Sequence, residues 1–175
     1  MVGEALRRLE AEKKISLEDI QKDETFIDTV MHASQAAMRS SHDEKRRALL
    51  NGILNSALPD PPDESLRQVL VNLVDTLTVW HIRILSLFHG PEAWAAKRGL
   101  TFPDLSMGGL SAVIENCFPE LRGRRDFYDT VWRDLFTRGL VSTESVHGMM
   151  TGQGLRAKRT TDLGDRFLRF IQEPE

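Results

Sequence analysis

Cysteine is nearly absent from this chain: Cys117 stands alone among 175 residues. No internal disulfide can form, and a reducing, intracellular setting is expected. An excess of one charge is missing too, since 23 Lys and Arg oppose 26 Asp and Glu for a formal net charge of −3. No global field therefore draws the chain to nucleic acid or anionic lipid, and any such attraction has to be local. Long apolar runs are lacking. The densest, Val79–Phe88, is interrupted by His81, Arg83 and Ser86 and is half as long as a membrane span. Glu4, Arg7, Arg8, Glu10 and Glu12 leave no room for the apolar stretch of a signal peptide. The expected setting is the cytoplasm, by default a bacterial one, with no membrane partner. Internal repeats and low-complexity segments are also missing.

What is present is helical periodicity. A hydrophobic content of 41% with 28% charged residues suits a globular chain of one ordinary domain or two small ones. Ser16 with Asp19 forms a loose N-terminal capping box, and Ser41 with Glu44 a better one. Phe26/Ile27, Val30/Met31, Ala33/Ser34 and Ala37/Met38 predict one broad apolar face, and Leu49/Leu50, Ile53/Leu54, Ala57/Leu58 a second. These two helices should pack as an antiparallel hairpin. The segment Pro59-Asp60-Pro61-Pro62-Asp63 breaks the chain, because proline removes backbone donors and holds the preceding residue extended. A helix restarts near Glu64 with Leu66, Val69/Leu70, Leu73 and Leu77 as its stripe, and Thr78 caps the next, which is apolar enough to be covered on more than one side. The expected organisation is an N-terminal helical segment over 1–58 and a second domain over 64–175, sharing a core through Val79–Phe88.

Beyond Gly90-Pro91 the pattern gives a short helix around Glu92–Lys97, a loop to Gly109, a short helix over 110–118 and a strong helix striped by Phe127/Tyr128, Val131/Trp132 and Leu135/Phe136. Gly139 sits where a left-handed C-cap belongs. Leu140–Val146 and Ala157–Thr160 are predicted as strands about a Gly-rich turn at 148–154, and Thr161 should cap a last helix. The stretches "LTVWHIRILSLF", "DLFTRGLV" and "TTDLGDRFLRFI", in that order over residues 78–172, resemble a winged-helix (helix-turn-helix) domain. "LSMGG" and "MMTGQG" are similar to a family of bacterial proteins of this layout, which supplies no activity. The implied fold is mainly α: an N-terminal helical hairpin or bundle packed on a winged-helix-like domain with a small β-hairpin.

No catalytic constellation emerges. The five histidines lack a second ligand at helical spacing, so no metal or other cofactor is expected, and His81 is expected as a core or interface histidine bonded to backbone. Cys117 is expected as a small buried hydrophobe. Gly148, Gly152 and Gly154 have neither the spacing nor the lysine of a phosphate loop and are predicted to turn a hairpin tip. One feature is sharper. From residue 120 onward ten Lys and Arg face nine Asp and Glu, whereas 13 face 17 before it. Six of those ten fall in two clusters: Arg122, Arg124 and Arg125 before the third helix of the winged domain, and Arg156, Lys158 and Arg159 on its wing. The resemblance implies that these two places meet DNA phosphates. The expected function is thus a non-enzymatic binding or regulatory protein that contacts double-stranded DNA. The alternative is an adaptor that uses the same fold for a protein partner or a second copy of itself, as the acidic total charge suggests.

Overall fold

The structure is a computed structural model that describes residues 2–174. It is 66% helical, with eleven α-helices and a two-stranded antiparallel sheet among the described residues. No single helix among them is long and apolar enough to cross a membrane. The chain forms two compact units, Met1–Val79 with Arg169–Glu175, and Trp80–Leu168. The sequence expectation starts the second domain at residue 64 and keeps the C-terminal residues in it.

Unit 1 contains α1 (Val2–Ala11), α2 (Leu17–Ile20), α3 (Glu24–Arg39), α4 (Asp43–Ala57) and α5 (Glu64–Thr76). Helix starts follow capping chemistry: Ser16 Oγ accepts from the Asp19 amide at 3.4 Å, and Asp63 Oδ1 accepts from Leu66 at 3.0 Å. Asp23 Oδ1 likewise accepts from the amides of Thr25 and Phe26. The N-cap of α4 is His42, one residue beyond the Ser41 expected. Helix α4 begins at Asp43 with no side-chain cap from His42, whose own amide is held by Ser40 Oγ at 3.3 Å.

Helices α3, α4 and α5 pack as a bundle on narrower stripes than the pattern suggests. On α3 the buried line is Phe26, Thr29, Ala33 and Ala36, while Ile27, Met31 and Met38 stand 42%, 53% and 79% exposed. On α5 the buried line is Arg67, Leu70, Val71, Leu73 and Val74, and Val69 faces out. The alternative lines differ by one residue step, about 100° around a helix, and only packing selects between them. The C-terminal residues close the unit. Asn51 Nδ2 donates to Ile171 O at 2.9 Å, and Asn55 Nδ2 donates to Phe170 O at 2.9 Å and Gln172 O at 2.8 Å. These amides satisfy carbonyls at a helix end that has no further turn to do so.

Unit 2 is built from most of α6 (Val79–His89), then α7 (Pro91–Ala96), β1 (Met107–Gly108), α8 (Leu110–Cys117), α9 (Arg125–Thr137), β2 (Met150–Thr151), α10 (Gly152–Arg156) and the start of α11 (Asp162–Ile171). Its core is fully buried at Leu85, Phe88, Leu110, Ile114, Trp132, Leu135 and Phe167. Phe88 meets Trp132 edge to face at 5.0 Å, and Trp132 Nε1 donates to Thr143 O at 2.8 Å. Helix α9 ends as expected: Gly139 takes φ 69°, its amide reaches Phe136 O, and the Leu140 amide reaches Leu135 O. Thr161 Oγ1 accepts from the Gly164 amide at 3.1 Å and so caps α11.

The predicted hairpin is corrected. The segments Leu140–Val146 and Ala157–Thr160 meet through a single antiparallel bridge, Val141 with Thr160. The sheet forms instead between β1 and β2, with Met107 opposite Thr151 and Gly108 opposite Met150. The glycines at 148–154 do not turn a tip, and none of them has a positive φ. Gly152 lies so close to the Leu105 carbonyl that a Cβ would stand 2.3 Å from its oxygen, and Gly154 sits inside α10, donating to Thr151 Oγ1. Glycine is needed at 152 for close approach to the β1 segment, which local sequence does not reveal.

Candidate interaction surface

The six cations singled out by the sequence fall into two contrasting settings. Arg122, Arg124 and Arg125 are exposed around the start of α9. Arg122 Nε donates to Glu115 O at 3.1 Å, Arg124 lies over the Phe127 ring at 4.5 Å, and Arg125 Nε is 3.6 Å from Asp129 Oδ2. Arg156 and Arg159 are half-buried and Lys158 is exposed, and all three are engaged by neighbouring groups. Arg156 donates to Glu92 Oε1 at 2.9 Å and Gly152 O at 3.1 Å, and its Nη2 is 3.5 Å from Asp104. Lys158 Nζ is closed onto Asp165, and Arg159 Nη2 donates to Gly154 O at 2.6 Å. Burial would raise the Asp165 carboxyl, but hydrogen bonds from Lys158, Thr160 and His89 outweigh it and hold the group below its usual value.

Beside the first cluster lies a feature that the sequence expectation missed. Trp94, Phe118, Trp80 and Phe127 follow one another edge to face, at 5.0, 5.5 and 6.4 Å between centroids. Arginines cap this ladder, with Arg98 at 4.0 Å over Trp94, Arg83 at 5.2 Å over Trp80 and Arg124 over Phe127. The rings come from α6, α7, α9 and the turn after α8, so no local spacing announces them. Only the i, i+3 and i, i+4 placement of Arg83 after Trp80 and Arg98 after Trp94 offered a signal.

Several other titratable groups of this unit are tied to neighbours. His81 is buried, and its Nε2 lies 3.2 Å from Asp134 Oδ2. His89 Nδ1 is 3.0 Å from Asp165, and His147 Nε2 is 2.7 Å from Asp129. Burial, with a hydrogen bond to Glu115 at 2.8 Å, pushes the Tyr128 hydroxyl up to about 12. Cys117 is buried at the end of α8, and burial pushes its thiol up to about 11, where it is a poor nucleophile at neutral pH. Among the described residues no three His, Cys, Asp or Glu side chains converge as a metal site would require. Comparison with protein-family models, curated proteins and solved structures gave no match.

Proposed function

We propose that this chain is a binding protein whose second unit is a winged-helix module used to contact another protein. The order α6, β1, α8, α9, followed by the Val141–Thr160 bridge, β2 and a Thr-capped α11, supports that module. The observation that carries the choice of partner is the state of the wing. Arg156, Lys158 and Arg159 are engaged by Glu92, Asp104, Asp165 and Gly154, so phosphates would have to displace these contacts. At and beside the small sheet two methionines are exposed, Met107 at 60% and Met149 at 69%, and Thr151 of β2 is exposed with them. Methionine at a surface adapts to protein partners and has no affinity for a phosphate backbone.

A photo-crosslinking residue at position 149 of the full chain, expressed in its own cells, should give a discrete protein adduct. The second reading is DNA contact through Arg122, Arg124 and Arg125, favoured by their exposure at the start of α9. Fluorescence anisotropy with a mixed duplex library decides between them. Micromolar binding with a log–log salt slope near −3, about −0.9 for each of three contacts, lost on replacing these arginines by Ala, would install the DNA reading instead.

A further inference from the structure

Helix α3 carries two lines of side chains at the alternating three- and four-residue spacing of a packed helix seam. Phe26, Thr29, Ala33 and Ala36 face the bundle. Ile27, Met31, Ser34 and Met38 form the second line, roughly 150° away at about 100° per residue, on the solvent side. Ile27, Met31 and Met38 are the exposed side chains noted above, and Ser34 is half-buried between them. No other helix among the described residues exposes more than one large apolar side chain. Apolar side chains scattered singly over a surface call for no explanation, but three aligned on one helix mark an interaction face. The two ends of the line differ in charge. Glu24 and Asp28 stand exposed in the first turns. Arg39 and Arg46 stand at the far end, with side chains 62% and 46% exposed. Arg39 donates to Asp75 through Nη2, and Arg46 donates to Ser40 O and Asp43 through Nε and Nη1, so each guanidinium keeps further donors.

We infer that a second copy of this chain covers the line, with α3 lying against α3 in antiparallel order about a two-fold axis. A two-fold contact has to be self-complementary, because what one copy offers at one end the other must accept there. The outer line of α3 meets that condition. In antiparallel order Ile27 faces Met38 of the second copy and Met31 faces Ser34, whose short side chain leaves room for the flexible thioether. Glu24 and Asp28 then fall beside Arg39 and Arg46 of the second copy, once at each end, and the two helix dipoles oppose. A parallel pair would set acid against acid and base against base. The contact is small: three large apolar side chains per copy compare with roughly 20–30 residues a side in a standard interface, so association is weak and depends on concentration. This face belongs to unit 1 and is independent of the partner proposed for unit 2.

Sedimentation of the full chain from micromolar to millimolar concentration should show a monomer–dimer equilibrium. Met31→Glu changes an exposed helical position to a good helix former, so circular dichroism and the unfolding midpoint should stay as they are. It should weaken the dimer at least about 10-fold, because a carboxylate enters the seam twice. Glu24→Lys with Asp28→Lys should weaken it by a smaller factor, and added salt should weaken the wild-type dimer in the same way. Chain direction is read by mild oxidation. Ile27→Cys chains mixed with Met38→Cys chains should link to each other, and neither should link readily alone; Cys117 is buried and stays out of the reaction. A chain that is monomeric throughout, or a dimer indifferent to Met31→Glu, would overturn the inference and leave the line to a different protein or to solvent. Linking of Ile27→Cys chains among themselves would show a parallel pair and overturn the two-fold antiparallel arrangement.

Discussion

Gly52 lies in the middle of α4, where replacement by Ala should stabilise a helix by about 0.8–1 kcal/mol. Here the opposite is expected. A Cβ at 52 would stand 2.5 Å from Cε1 and 2.8 Å from Cζ of Phe170, whose ring is 2% exposed. Displacing a buried ring costs about 1–3 kcal/mol as overpacking. The net effect of G52A is therefore a loss of up to about 2 kcal/mol once the helical gain is subtracted. In a Phe170→Leu background the ring is absent, and G52A should recover its gain of about 1 kcal/mol. The coupling between the two changes is then about 1–3 kcal/mol, as for side chains in contact. Urea unfolding should be followed by circular dichroism, because Trp80, Trp94 and Trp132 all lie in unit 2 and fluorescence does not report on α4. A G52A variant that is about 1 kcal/mol more stable, with no coupling to position 170, would refute the docking of the C-terminal residues on α4.

Leu85 is 0% exposed in unit 2, so Leu85→Ala should cost about 2–5 kcal/mol by tryptophan-monitored unfolding; a cost of a few tenths would mean the site is not enclosed. With its thiol pushed up to about 11, Cys117 should react with an alkylating reagent far more slowly in the native than in the denatured chain, and fast native labelling would contradict its burial. Asp165 is held below its ordinary value, so the stability it contributes is present above the unfolded carboxyl value and is lost as pH falls through the folded one. The stability gap between wild type and Asp165→Asn should accordingly shrink on acidification, and a gap constant with pH would remove the linkage.

The boundaries set by local chemistry were legible: the Ser16 cap, the break at Pro59–Asp63, the Gly139 C-cap and the Thr161 cap all depend on atoms within a few residues. What failed depends on distance in sequence. The buried line on α3 is chosen by its neighbours in the bundle, so Ile27, Met31 and Met38 fall outside it although the pattern includes them. The partner of β2 is β1, more than forty residues earlier, which no hairpin signal could name. The C-terminal residues belong with α4 because Asn51 and Asn55 reach their carbonyls, a match carried by two amides with no apolar pattern. For the candidate site, the presence of cations was legible but their engagement was not.

The segment from 145 to 161 shows why charge counted along a sequence misleads about surfaces. Between Ser145 and Thr161 there is no acid, so the segment reads as a basic patch. In space Glu92 comes from α7 and Asp104 from the loop before β1, and both engage Arg156; Asp165 from α11 engages Lys158, and Arg159 is held by the Gly154 carbonyl. The local field on which phosphate attraction would depend is thereby largely cancelled at distances beyond a few ångströms. At the start of α9 the same count leaves a remainder, because Asp129 is shared between Arg125 and His147 and Arg124 faces a ring and not a carboxylate. That remainder is small and sits beside the Trp80–Phe127 edge, where flat side chains offer contact area as well as charge. Such a surface fits the proposed protein contact, made at short range by stacking and hydrogen bonding, more than long-range steering. Short-range recognition of that kind suits a folded protein surface better than it suits the uniform charge of a duplex.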